Sequence, residues 1–145
     1  MSWEADADLL PGHRYTTLTR SRSHSGISDE PVGREGEDLG PSPVEMALWA
    51  LGSCTAMTLR MYAERKGWPL EGVSVHINHQ RLRQDECPDC PPSETGYVDK
   101  IGRQIRLEGP LDDAQRQRLM QIADHCPVAR LLKYQPHIVD TLVAE

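Results

Sequence analysis

Between Met46 and Leu59 no residue carries a charge, and the run Met46-Ala-Leu-Trp-Ala-Leu-Gly-Ser-Cys54-Thr-Ala-Met-Thr-Leu59 is apolar or small on every side. A helix that is hydrophobic all round belongs in the middle of a protein, and this stretch is too short to span a bilayer, which takes about 20 residues. Ser42-Pro43-Val44-Glu45 supplies its start: Ser42 as the cap, Pro43 at the first helical position, and Glu45 placed to reach back to the cap amide. The pattern turns polar at Glu64-Arg-Lys66, with Gly67 and Pro69 behind it, so the predicted helix is Pro43 to Lys66. Upstream, His13 to Thr19 and Arg22 to Ser28 read as a hairpin. Downstream, Val73, Val75 and Ile77 alternate with Ser74, His76 and Asn78, the period of a strand with one buried face. Ile101, Ile105 and Leu107, set among Arg103, Gln104 and Arg106, supply its partner. A helix follows through Leu119, Ile122 and Ala123, started by Asp112 or Asp113. Cys126-Pro127 opens a short helix to Lys133, and a last strand is expected from His137 to Val143. This order of elements is α+β. Pro and Gly gather in two loops, Pro31 to Pro43 and Cys87 to Gly96.

The length of 145 residues fits one domain, 1–145, able to bury roughly two-thirds of its unfolded surface without staples. A formal charge of -6 with mixed signs offers no basic stripe for phosphates, so nucleic acid is excluded as the expected partner. The opening MSWEADADLL is acidic where a secretion signal is basic, and no membrane-length apolar run follows, so a cytoplasmic location is expected with no membrane partner. Four cysteines are too few for a disulfide scaffold, and in a reducing compartment they point to catalysis or metal binding where they matter.

Cys54 lies in the apolar helix, where an inert buried thiol is the bland reading. Cys126 precedes Pro127, which puts it at or near a helix cap facing unpaired amides, a placement that favours thiolate over thiol; a packed helix-entry cysteine is the alternative. Gly40-Pro41-Ser42-Pro43-Val44-Glu45 running into Leu51-Gly52-Ser53-Cys54, followed at a distance by Cys126-Pro127-Val128, resembles the two motifs of the OsmC/Ohr proteins, the osmotically inducible and organic hydroperoxide resistance family. The resemblance extends over roughly Thr16 to Val143.

It implies an intertwined homodimer, with antiparallel sheets wrapped around two central helices. It also implies thiol-dependent hydroperoxide reduction. Cys54 would attack the peroxide, Cys126 would resolve the resulting sulfenic acid as a disulfide, and a dithiol donor, a lipoyl or thioredoxin-like protein, would regenerate both, with no cofactor. Arg34 matches the family's catalytic arginine, a cation for the thiolate and for the leaving oxygen. The sequence departs from the family pattern where a glutamate commonly holds that arginine: the position is Val44, which leaves the adjacent Glu45, or Glu35, Glu37 or Asp38, to take its place. The chain has no Phe, so an aromatic lining for bulky peroxides is not expected.

Cys87-Pro-Asp-Cys90 is a second pair of thiols at chelating or disulfide spacing, and the acidic CxxC resembles that of one OsmC-like branch. Two thiols supply only half a zinc site, and His76 and His79, three apart on a strand, face opposite sides. A surface dithiol that passes electrons, a metal half-site completed across a dimer and a plain polar loop are the three readings, and no metal ligands are assigned. His125 is not assigned a catalytic role, because neighbours on a helix point about 100° apart. Two further functions stand beside the peroxidase: a non-catalytic redox sensor or binding protein on the same fold, and a structural zinc protein.

Overall fold

The uncharged stretch forms the predicted helix, α1, over Pro43–Lys66. Its start closes reciprocally: the Glu45 amide donates to Ser42 Oγ at 3.3 Å, and the Ser42 amide donates to Glu45 Oε2 at 2.7 Å. At the far end Gly67 takes a φ of 66°, the left-handed conformation that ends a helix without a Cβ clash. The computed structural model describes residues 1–145, and they gather into two units, Met1–Trp49 and Ala50–Glu145.

The first unit is a three-stranded antiparallel sheet, β1 (Asp6–Leu9), β2 (Thr17–Ser21) and β3 (His24–Ser28), in that order. The expected hairpin is β2 with β3, paired from Thr17 opposite Ser28 to Ser21 opposite His24. Its first strand starts later than expected, at Thr17, because His13 lies in the connection from β1. β1 itself was not anticipated, since Asp6-Ala-Asp-Leu9 is only four residues long and half of them are acidic; it is a strand because β2 pairs its backbone and because Arg20 reaches Asp8 at 2.7 Å.

After β3 the buried Asp29 organises the loop that follows. Its carboxylate accepts from the Thr16 hydroxyl at 3.0 Å and from the amides of Glu30 and Leu39 at 2.8 and 3.2 Å. Burial pushes the Asp29 pKa up, but the amides of Glu30 and Leu39 and the Thr16 hydroxyl outweigh it, and the carboxyl stays below its ordinary range. The loop carries a single helical turn, Val32–Arg34.

In the second unit, β4 (Gly72–Arg83) and β5 (Tyr97–Glu108) form a long hairpin that sets Val73 opposite Leu107 and Val75 opposite Ile105, the predicted pairing. Helix α2 (Asp113–Ile122) begins at Asp112, whose side chain accepts from the Gln115 amide at 2.7 Å while the Gln115 side-chain oxygen accepts from the Asp112 amide at 3.0 Å. The core joins Leu59 and Ala63 of α1 to Leu70, Leu111, Leu119 and Ile122, with Val73, Ile105 and Leu107 of the hairpin against it. Helix α3 covers Pro127–Lys133.

Two expectations need correction. Residues His137 to Val143 form no strand and are exposed, because no other strand of this chain offers them hydrogen-bond partners. The central helix, apolar all round in sequence, is not buried all round in the chain: Leu51, Thr55, Leu59 and Ala63 form its one buried stripe. No helix is long and apolar enough to cross a membrane.

Candidate active site

Cys54 and Cys126, far apart in sequence, meet in a small apolar cluster. Leu51, Cys126 and Ala129 are its buried members, and Cys54, Ile77 and Val128 pack against them. Gly52 belongs to the same arrangement, since a Cβ there would sit 3.2 Å from the Ile77 side chain. Cys126 is the N-cap of α3, as its place before Pro127 predicted, and the Ala129 amide donates to its sulfur at 3.4 Å. Cys126 is fully buried and Cys54 half-buried, and both are free thiols. Burial pushes the Cys54 thiol above its ordinary range, and the adjoining Cys126 thiol pushes it further. The Val128 amide and the Thr58 hydroxyl act the other way without prevailing. A thiolate there would need a cation beside it, because a buried anion requires a charge partner.

Arg103 was missed as a member of this region. It sits on the same face of β5 as Ile105 and Leu107 and is 16% exposed. Its guanidinium donates to Thr55 Oγ1 at 3.1 Å, to the Ala123 carbonyl at 3.0 Å and to Asp124 at 3.0 Å. The signal was the strand's own parity, because Arg103 shares its parity with Ile105 and Leu107, which pack against the core. A cavity of about 490 Å³ adjoins the cluster, lined by Leu51, Pro91, Asp99, Ile101, Arg103, Ala129, Leu132 and Lys133.

Arg34 lies exposed in the turn of the first unit. Its acidic neighbours are committed elsewhere, Glu35 to Arg14 at 3.0 Å and Glu37 to His13 at 2.8 Å. Glu45 is occupied as the cap partner of Ser42, and Val44 is exposed. No carboxylate of the chain holds the Arg34 guanidinium. His79 pairs with Asp99 at 2.8 Å, while His76 is exposed on the opposite face of β4, as the strand spacing requires. Cys87 and Cys90 are joined to each other in a disulfide. His125 is exposed in the turn before Cys126.

The family model described as OsmC-like protein matches residues 36–139. This chain belongs to the OsmC-like family, and its α+β architecture is that of the solved OsmC-like structures. Among solved structures it is similar to an OsmC-like protein from Mycoplasma pneumoniae, with a TM-score of 0.73 at 15% identity over 92% of this chain and 88% of that one. It is similar to an organic hydroperoxide resistance protein OsmC from Legionella pneumophila, with a TM-score of 0.66 at 16% identity over 92% and 90% of the two chains. An organic hydroperoxide resistance protein from Elizabethkingia anophelis, with thiocyanate bound, gives a TM-score of 0.65 at 14% identity over 93% and 90%. No curated protein sequence matches the chain.

Proposed function

We propose that the protein is a thiol-dependent hydroperoxide reductase in which Cys54 attacks the peroxide and Cys126 resolves the product. The observation that carries this reading is the meeting of two free thiols, one half-buried and one fully buried, in an otherwise apolar cluster. The Cys54 thiolate takes the outer peroxide oxygen, breaking the O–O bond and releasing an alcohol. Cys126 then attacks the Cys54 sulfenic acid, forming a disulfide and releasing water. In sum, one hydroperoxide is reduced by two electrons as two thiols become one disulfide. An external dithiol, small or borne by a lipoyl or thioredoxin-like protein, restores the thiols by exchange. Such a cycle suits a reducing compartment, which accords with a cytoplasmic location.

A raised thiol needs a cation before it can act. Arg34 is the residue we assign to that role, because its guanidinium is unpaired and carried on a loop that Asp29 fixes. Arg34→Ala should slow single-turnover peroxide reduction by about two to three orders of magnitude, the worth of a preorganised charged donor in a closed site. It should also move the pH profile of the rate upward. Arg34→Lys should restore only part, since an ammonium is a point charge where a guanidinium is a planar fork. Unchanged rates in Arg34→Ala would remove it from the mechanism. A redox sensor without turnover is the second reading, favoured by the raised Cys54 thiol and the missing carboxylate at Val44. Catalytic consumption of an organic hydroperoxide in the presence of dithiol separates the two.

We also assign the homodimer on the exposed side of α1. Trp49, Ser53, Met57 and Met61 recur at every fourth position there and leave an apolar stripe uncovered in the single chain.

A further inference from the structure

The loop between β4 and β5 holds a second pair of sulfurs that the peroxide chemistry does not use. Cys87 is buried, Cys90 is half-buried, and the two are bonded to each other. Cys90 is followed by Pro91, which lines the cavity of about 490 Å³ together with Leu51 and Ala129. Those are the two residues buried against Cys126. The cavity thus has Leu51 and Ala129, the neighbours of Cys126, on one part of its wall and Pro91, the residue after Cys90, on another.

A disulfide closing so short a loop restricts the unfolded chain least, so it is a poor staple. The loop has other ties. Gln84 accepts the Ser93 amide at 2.8 Å through its side chain and the Cys87 amide at 3.2 Å through its carbonyl, and it donates to the Cys90 carbonyl at 3.4 Å. None of these bonds uses a sulfur atom, so none depends on the Cys87–Cys90 bond, which is what a pair that opens and closes requires.

We propose that Cys87 and Cys90 form an internal dithiol relay that reduces the Cys54–Cys126 disulfide, an inference that rests on the peroxidase reading. In the reduced loop the Cys90 thiolate, the more accessible of the two, attacks the Cys54 sulfur. The Cys54–Cys126 bond breaks, and Cys126 leaves with the electron pair, takes a proton and keeps the Ala129 amide as its hydrogen-bond donor. Cys87 then attacks Cys90 in the mixed disulfide, forming the Cys87–Cys90 bond and releasing Cys54 as a thiol. Two electrons have moved from the loop to the cluster. An external dithiol next opens Cys87–Cys90, becoming a disulfide itself. The state in the structure, with free thiols at Cys54 and Cys126 and a bond at Cys87–Cys90, is the product of that transfer. A tethered dithiol acts at an effective concentration in about the millimolar range, which a free donor rarely reaches.

The experiment starts from the full chain with all four thiols reduced and the reductant removed. It adds equimolar tert-butyl hydroperoxide, alkylates the remaining thiols and maps disulfides by peptide mass. The relay predicts the bond at Cys87–Cys90 in the wild type and at Cys54–Cys126 in Cys87→Ser/Cys90→Ser, with the same rate of peroxide loss in both. Cys54→Ser should leave Cys87 and Cys90 reduced, because they are oxidised only through the cluster. Peroxide consumed with the wild-type bond remaining at Cys54–Cys126 overturns the relay and leaves the peroxidase intact. Oxidation of Cys87 and Cys90 in Cys54→Ser at the wild-type rate overturns it as well. Peroxide left unconsumed by the wild type removes the peroxidase reading and the relay with it.

Discussion

Arg103 brings a charge onto the inward face of β5 and spends every contact on joining segments that are distant in sequence. Thr55, which accepts one of its bonds, is next to Cys54, and the Ala123 carbonyl that accepts another also receives the Cys126 amide at 3.4 Å. The guanidinium therefore ties the helical turn bearing one thiol to the turn bearing the other. Asp124 completes the tie, held by Lys133 at 2.9 Å as well as by Arg103. The Lys133 hydrogen bond first, then the charges of Lys133 and Arg103, hold the Asp124 carboxyl below its ordinary range against the opposing effect of burial. A depressed carboxylate contributes stability that is complete above its unfolded pKa and is lost as the pH falls through the lower folded value. The tie should therefore weaken only in acid, below the ordinary aspartate range. Arg103→Gln is expected to cost about 2–4 kcal/mol in urea unfolding, the worth of charged hydrogen bonds partly discounted for the exposed Asp124. It should also slow closure of the Cys54–Cys126 disulfide, read by trapping the sulfenic acid after one equivalent of peroxide. A change in stability with normal closure would leave Arg103 a brace of the fold alone.

At the scale of elements, whatever a few neighbouring residues decide was legible in the sequence. Both ends of α1, the cap of α2 and the placing of Cys126 at the start of α3 rest on contacts three or four residues apart, and each lies where the sequence pointed. The pairing of Val73 with Leu107 and of Val75 with Ile105 follows from alternation alone. What stayed hidden depends on distant partners. β1 is a strand only because β2 is beside it, Asp29 is buried only because Thr16 and Leu39 close over it, and Arg103 turns inward only because Thr55 and Ala123 await it. The segment from His137 to Val143 has a strand's composition and no partner in the chain. In the candidate site the two thiols were legible, whereas Arg34's missing carboxylate was visible only as a departure at Val44. The double use proposed for Glu45 can be tested at the helix start. Ser42→Ala should cost about 1 kcal/mol of stability, the usual worth of an N-cap. Glu45→Gln should preserve most of that stability, because its amide oxygen can still accept from Ser42. A normal peroxide rate in Glu45→Gln leaves it a cap; a slowed rate at unchanged stability shows that it also orients Arg34.

At the scale of the whole molecule, the proposed dimer turns on the two sides of α1. The buried stripe Leu51, Thr55, Leu59 and Ala63 and the outer stripe Trp49, Ser53, Met57 and Met61 both repeat every four residues and stand two residues out of phase. Two residues are about 200° of helix, so the stripes lie on opposite sides. The outer one exposes Trp49 at 65%, Met57 at 62% and Met61 at 56%, three large apolar side chains on one side of a helix, a grouping that marks an interaction surface. Exposed apolar residues from Ile138 to Val143 add to the surface in need of a partner. A second copy that covered both should bury more than about 2,000 Å², the range of obligate dimers. Met57→Glu is the sharpest probe. It removes a side chain whose burial is worth about 1.5–3 kcal/mol and puts an unpaired charge in its place, in both protomers at once. Dimer dissociation should rise at least about a hundredfold, since each 1.4 kcal/mol is a factor of ten. The core against α2 and the hairpin does not use Met57, so secondary structure measured by circular dichroism should survive in the dissociated variant. Sedimentation equilibrium on both proteins gives the comparison, and a wild type that is monomeric at micromolar concentration would remove the dimer and leave the outer stripe of α1 without an explanation.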